Sequence, residues 1–415
     1  MSFWKAREIM NEFAVAIDVS NGSSHFRCFK SSSEPLGPSL KFRHDQDGLA
    51  FLEERVMKLQ EKLAAEPVFV YEATGVYTRP VERYLLSHGY RICQISPLES
   101  AAQRRTDIHG KKTDKTDPAY IAQAYFSKTK KAPKEKEDPY WHALRLMNRE
   151  YEETMNHLRT YKVSFQSTLA IVFPGYQTLG KDPYTPISLM ALRRFPHPEM
   201  ILHKKRETVI RRVMKDTRMS ENRVARWVDK MIRLAQTTYP GCEKDDLEVE
   251  LLIRKIDDIL ACDRRCKEIL QQLIARAADS EYFECLCSIK GVGANLAARI
   301  LAEVGDISRF RNVKALIAYA GLDPRKNQSG EKKGEHLGIS KKGNRRLRTI
   351  LYLAVTCNLR QGDPYDPISE YYKKKRQQSH PLAHTAAVIA ASGKLLRTAY
   401  GMCNTKTMYL RHSPL

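Results

Sequence analysis

The chain has 415 residues, room for two or three domains with real cores, and 42% of them are apolar, which excludes a generally disordered chain. Lys and Arg number 70 against 48 Asp and Glu, a net charge of +22 that points to a polyanionic partner. No apolar run approaches the ~20 residues of a membrane span, Met1–Asn11 has no signal-like apolar core, and nine cysteines, an odd number, fit the reduced thiols of a cytoplasmic protein with no membrane partner.

Residues 12–127 read as an α/β domain. Phe13–Val19 is a strand with Asp18 near its end, and Ser24–Lys30 is its hairpin partner across Asn21-Gly22. Leu49, Leu52, Val56, Leu59 and Leu63 have helical spacing within 48–65. Pro67–Glu72 is a buried-type strand, Tyr77–His88 a helix stopped at Gly89, and Tyr90–Ile95 another strand. Strand, helix, strand in this order predicts parallel pairing in a mixed sheet. A charged, proline-containing linker occupies 128–140.

The period then changes over 141–280. Leu144, Met147, Tyr151, Thr154, Leu158, Tyr161, Phe165, Thr168 and Val172 step alternately by three and four. So do Val249, Leu252, Ile256, Ile259, Asp263, Cys266, Leu270, Leu273 and Ala277. Each helix is on the order of 45–50 Å long. A pair of bundle-core helices and a protruding antiparallel coiled coil both fit, and the sustained heptads favour the second. Between them, 174–245 is basic and punctuated by proline. It holds an amphipathic helix after Ser220 with Val224, Trp227, Met231 and Leu234 on one face. Residues 283–403 form a mainly helical third region. The cysteine pairs Cys262/Cys266 and Cys285/Cys287 lack CxxC spacing and a spaced histidine pair, so they read as thiols rather than zinc ligands.

Four carboxylates stand out. Asp18 and Glu72 close apolar strands, and Asp114 and Asp117 are three apart, on one face if helical. Converging at a sheet edge they would repel unless divalent cations neutralised them, as in two-metal phosphodiester chemistry. Singly, each has a plainer reading: a turn residue at Asp18, a solvated edge residue at Glu72, a helix cap at Asp114 with Asp117 and Pro118 in the first turn. Further on, Leu286–Gly305 has the form of a helix-hairpin-helix. Its Lys290, Gly291 and Gly293 lie at the turn, and the next helix offers backbone N–H groups to a phosphate; a plain helical hairpin is the alternative. From Asp323 to Arg348 there are nine Lys/Arg and three Asp/Glu, a composition that grips phosphates through Arg325, Lys326, Lys341, Lys342, Asn344, Arg345 and Arg346. Ser329, followed by Gly330, lies within it, either as a turn former or as a nucleophile toward phosphorus.

In this order, Ile17-Asp-Val-Ser, Tyr71-Glu-Ala-Thr-Gly-Val-Tyr, Lys112-Thr-Asp-Lys-Thr-Asp, Ile289-Lys-Gly-Val-Gly, Tyr319-Ala-Gly-Leu, Gln328-Ser-Gly and Ile339-Ser-Lys-Lys-Gly-Asn-Arg-Arg-Leu-Arg resemble the DEDD-type insertion-sequence transposases, the bridge-RNA-guided serine recombinases, and their Piv-type invertase relatives. The resemblance implies a RuvC-like, ribonuclease-H-type N-terminal domain with Asp18, Glu72, Asp114 and Asp117 as its Mg²⁺-binding tetrad, Mn²⁺ being a substitute. It implies a coiled coil and a C-terminal transposase domain with Ser329 as nucleophile. Implied partners are donor and target duplex DNA, a structured noncoding guide RNA, and further copies of the chain as a tetramer on DNA, in a prokaryotic nucleoid. Asn21, Ser96 and Pro118 depart from the family's usual Lys, Asn and Ala; none is a carboxylate or Ser329. The expected function is an RNA-guided DNA recombinase or transposase of a mobile element acting through a phosphoserine intermediate. The rivals are a metal-only junction-resolving nuclease and a non-catalytic nucleic-acid-binding protein.

Overall fold

The computed structural model describes residues 11–72, 75–106, 117–127, 138–324, 338–363 and 365–409. It divides into two compact units, Met1–Glu137 and Asp138–Leu415. In the first, β1 (Glu12–Val19), β2 (Ser23–Phe29), β3 (Leu40–Arg43), α1 (Gln46–Leu63), β4 (Glu66–Glu72), α2 (Thr78–Ser87), β5 (Arg91–Ile95), α3 (Pro97–Thr106) and α4 (Asp117–Phe126) follow in order. The sheet runs β3-β2-β1-β4-β5. β1 and β4, and β4 and β5, are parallel, while β2 is antiparallel to both β1 and β3. The mixed sheet is as the strand–helix–strand order predicts. The edge strand β3 has no counterpart in the sequence reading; only Phe42 of its four residues is buried.

Period-two alternation sorts β1 onto two faces. Phe13, Val15, Ile17 and Val19 pack with Leu52 and Val56 of α1 and with Val81 and Leu85 of α2. Ala14 and Ala16 face the other way, with Ile121, Ala122 and Ala124 of α4. Two alanines leave room for α4 to approach the sheet closely.

The second unit is helical among its described residues, apart from one isolated bridge between Pro324 and Ile339. Its elements are α5 (Pro139–Val172), α6 (Pro186–Arg194), α7 (Pro198–Leu202), α8 (Arg206–Asp216), α9 (Glu221–Thr237), α10 (Leu247–Ala277), α11 (Phe283–Ser288), α12 (Ala294–Val304), α13 (Val313–Ala320), α14 (Arg345–Arg360), α15 (Pro367–Gln377) and α16 (His384–Thr405). α5 and α10 lie antiparallel. The Tyr140 hydroxyl donates to the Arg276 carbonyl at 2.9 Å, Cys262 Sγ to that of Thr154 at 3.2 Å, and Lys255 Nζ to that of Ser164 at 3.1 Å. One end of the pair is built into a core with α11–α16 and the other into a core with α6–α9.

The seam of α10 differs from the strict heptad. Val249, Leu252, Ile256, Ile259, Cys262, Cys266, Ile269, Leu273 and Ala277 are buried. Cys262 and Ile269 therefore take the places expected of Asp263 and Leu270, and Asp263 instead pairs with Lys267 at 2.6 Å on the surface. The stripe is back on the heptad at Cys266, Leu273 and Ala277. At the Asp263 step the apolar-compatible neighbour Cys262 enters the seam, because burying an unpartnered carboxylate there would be costly. In α9 the buried positions are Val224, Val228, Met231 and Ala235, with Trp227 and Leu234 at the margin.

Ile269→Asp should destabilise the chain by ~3 kcal/mol or more in urea unfolding, because it drives a carboxylate into the seam. Leu270→Asp, at a half-buried position, should cost less than half of that. Equal losses would contradict this seam assignment.

Candidate functional site

The parallel register of β1 and β4 pairs Ala16 with Val70 and Ile17 with Tyr71. The next step sets Asp18 beside Glu72. Both then belong to the alternation that faces α4, and both are half-buried. α4 runs against β1: near its end the Tyr125 hydroxyl donates to Glu12 Oε1 at 2.8 Å, at the start of the strand. Its first residue, Asp117, therefore lies toward the carboxyl ends of the strands, and it is buried. These are hard oxygen donors of the type Mg²⁺ takes. Among the described residues no three His, Cys, Asp or Glu side chains form a cation-binding cluster on their own. The fourth expected carboxylate, Asp114, lies outside the described residues.

Two neighbours of this edge went unnoticed in the sequence. His25 is the cross-strand partner of Asp18 on the same face. Ser100, fully buried in α3, donates its hydroxyl to Glu72 Oε2 at 2.6 Å. The register of a two-residue Asn21-Gly22 turn points to His25; no local signal marks Ser100.

The second unit carries the hairpin. Ile289 and Val292 are buried and anchor the turn between α11 and α12. Gly291 has φ +86°, and a Cβ there would fall 2.5 Å from the Asn358 backbone nitrogen, so only glycine fits. Gly293 is different: it has ordinary extended backbone and open space around it, and it precedes α12 with no side-chain cap. The first N–H groups of α12 are thus left for an external acceptor.

A cavity of about 1100 Å³ opens at this turn, between α5, the hairpin and α14. It brings together Lys290, Gly291, Gly293, Arg345 and Arg346 of the expected contacts and adds Arg159 and Arg299. The cations are partly committed internally. Lys290 Nζ binds Asp363 at 2.7 Å, and Glu152 accepts from Arg299 at 3.2 Å and Arg346 at 2.7 Å. Arg345 and Arg346 occupy the first turn of α14, where the helix dipole disfavours cations, so their placement suits an incoming anion.

Lys341, Lys342 and Asn344 do not line the cavity. Lys341 and Lys342 are exposed, and Lys341 has φ +56°. The Asn344 side chain is taken up inside the protein: its Oδ1 accepts from the Leu347 N–H at 3.0 Å, and its Nδ2 donates to the buried Glu303 carboxylate at 2.7 Å. Glu303 also accepts from Asn148 Nδ2 at 2.8 Å, so it joins α5 to the start of α14. Burial lowers the Arg348 pKa, with the neighbouring Arg345 charge adding to it, and its guanidinium donates to the Ala320 carbonyl at 2.8 Å. Arg325, Lys326 and Ser329 lie outside the described residues.

Comparison with known proteins matches both ends of the chain. Residues 15–174 match a model of the DEDD transposases of the IS110 type, and 283–373 match the model described as the IS116/IS110/IS902 transposase family. The uncharacterised 44.8 kDa protein of insertion element IS116 from Streptomyces clavuligerus is 28% identical over 184 residues, 44% of either chain. The transposase of IS1111A from Coxiella burnetii is 39% identical over 103 residues, 25% of this chain and 28% of that one. The pilin gene-inverting protein of Moraxella bovis is 30% identical over 118 residues, 28% of this chain and 35% of its own. The chain belongs to the IS110/IS116 family of transposases. It matches less than half the length of each of these relatives. Among the described residues no helix is long and apolar enough to cross a membrane.

Gly291→Ala should destabilise the second unit by roughly 3 kcal/mol, through positive φ and a forced shift of α14. Gly293→Ala should change stability by less than about 1 kcal/mol. Thermal unfolding of the two variants checks this, and a reversed order would contradict the assigned backbone roles.

Proposed function

We propose that the chain is a DNA recombinase of a mobile element that cuts and rejoins strands through a phosphoserine intermediate. The observation that carries the reading is the β1–β4 register, which sets two carboxylates side by side at a sheet edge in a chain of charge +22. Like charges so placed repel, and a bound divalent cation removes the repulsion. The mixed sheet with acidic residues at its strand ends supports a RuvC-like domain. The antiparallel α5–α10 pair supports the coiled coil between residues 141 and 280, before a C-terminal transposase domain from 283 to 403.

Asp18, Glu72, Asp114 and Asp117 would hold Mg²⁺, which when bound supplies charge stabilisation to the phosphate. Ser100 orients Glu72 by donating to one of its oxygens. In the bond-breaking step the Ser329 oxygen attacks phosphorus, and a phosphate–sugar oxygen bond breaks. The serine proton passes to the departing oxygen, and a free strand end bearing a hydroxyl is left. A strand hydroxyl then attacks the phosphoserine, restores the diester and returns the proton to Ser329. Bond energy is conserved, so no nucleotide cofactor is consumed. Donor and target duplexes bind through the basic cavity and the 323–348 segment. A structured noncoding RNA supplies the sequence choice, and a tetramer brings the strands together.

Asp18→Asn, Glu72→Gln, Asp114→Asn and Asp117→Asn should each abolish cleavage, because each keeps shape and removes charge. Ser329→Ala should abolish cleavage and joining yet leave DNA affinity within a few fold. Wild-type reactions quenched in denaturant should carry DNA on the peptide containing Gln328, Ser329 and Gly330. Normal cutting by Ser329→Ala with no adduct would favour the metal-only nuclease.

A further inference from the structure

The cavity beside the hairpin has a composition that phosphate binding does not explain. Its rim is cationic, but Met155, Leu296 and Leu353 also line it. Leu353 is 41% exposed on α14, between Thr349 and Cys357 on the same helical face. Tyr151 of α5 forms another wall, with the Arg299 guanidinium 5.1 Å from its ring centre. A duplex hides its bases and offers phosphates at its surface, so a duplex gains nothing from an apolar wall. A strand with an unpaired nucleotide offers both phosphate and base face, and proteins that bind such strands join a basic groove to apolar or aromatic platforms.

We propose that this cavity receives an unpaired nucleotide, a reading that rests on the nucleic-acid function above. The phosphate lies at the uncapped start of α12, near Gly293, Arg345 and Arg346. The base lies against Leu353 and Met155. The absence of any Cβ at Gly293, and the open space around it, let the backbone of the strand come close to the first N–H groups of the helix. Glu152 holds Arg299 and Arg346 in place across the cavity before the strand enters. The site selects unpaired nucleotides of any sequence, because every base has an apolar face.

Fluorescence anisotropy on the full-length chain tests this with three probes: oligo(dT) of roughly 12 nucleotides, an abasic oligonucleotide of the same length, and a blunt hairpin duplex. The wild type should bind oligo(dT) at least ~10-fold more tightly than the abasic strand. Leu353→Gln, at an exposed position that leaves the fold intact by circular dichroism, should weaken oligo(dT) binding ~5-fold or more. It should leave the abasic strand and the duplex within about twofold, with the salt slope unchanged because no charge is removed. Arg345→Ala should instead lower the salt slope by about 1 for every probe. Equal binding of oligo(dT) and the abasic strand, or a Leu353→Gln effect equal on all three probes, would overturn the unpaired-nucleotide site and leave nucleic-acid binding standing. Failure of every probe to bind would remove both.

Discussion

The parallel pairing of β1 with β4 is the constraint on which the acidic edge depends. It fixes a register in which Phe13, Val15 and Ile17 share one face with Phe69 and Tyr71, and Ala14 and Ala16 share the other with Val68 and Val70. The last residues of that second alternation are Asp18 and Glu72. A shift of one residue in either strand would bury a carboxylate among aromatic side chains, so the hydrophobic pattern that stabilises the sheet also aligns the acids. The cost of aligned like charges is partly offset by the Ser100 hydroxyl at Glu72.

The second unit treats charge in the opposite way. One of its buried carboxylates, Glu303, is held by the amides of Asn148 and Asn344, and the half-buried Glu152 holds two arginines. These few acids sit inside a strongly basic region and fix cations whose long side chains would otherwise be costly to order. Arg345 and Arg346 stand at the start of α14, where the helix dipole disfavours cations, and Glu152 supplies the counter-charge to Arg346.

Much of this was legible in the sequence, and for stated reasons. β1, β2, β4 and β5 announce themselves because apolar runs bounded by turn residues admit few other structures. Gly291 was readable as a turn glycine, whereas Gly293 keeps ordinary backbone, a distinction that depends on where α14 packs. The heptad of α10 is legible in the sequence except at Asp263 and Leu270, whose places Cys262 and Ile269 take. Asp263 fits a heptad on paper, but the helix presents Cys262 to Thr154 instead. The helices α6–α8 escape because they are short and prolines break the pattern around α6 and α7, and they share a core with Phe173, Tyr176, Phe195 and residues of α5 and α10. Asn344 reads as one polar residue in a basic run, and nothing nearby in sequence reveals Glu303, 41 residues earlier, as its partner.

The central claim is that the carboxylates at the β1–β4 edge hold a divalent cation when DNA is bound. Anomalous scattering from crystals of the chain grown with DNA and Mn²⁺ tests it most directly. The account predicts a Mn²⁺ peak within coordination distance of both Asp18 and Glu72, at about 2.0–2.3 Å from their oxygens, and its loss in Asp18→Asn. A DNA-bound crystal in Mn²⁺ with no peak at that edge, from protein that cleaves the same DNA in the same buffer, would contradict it.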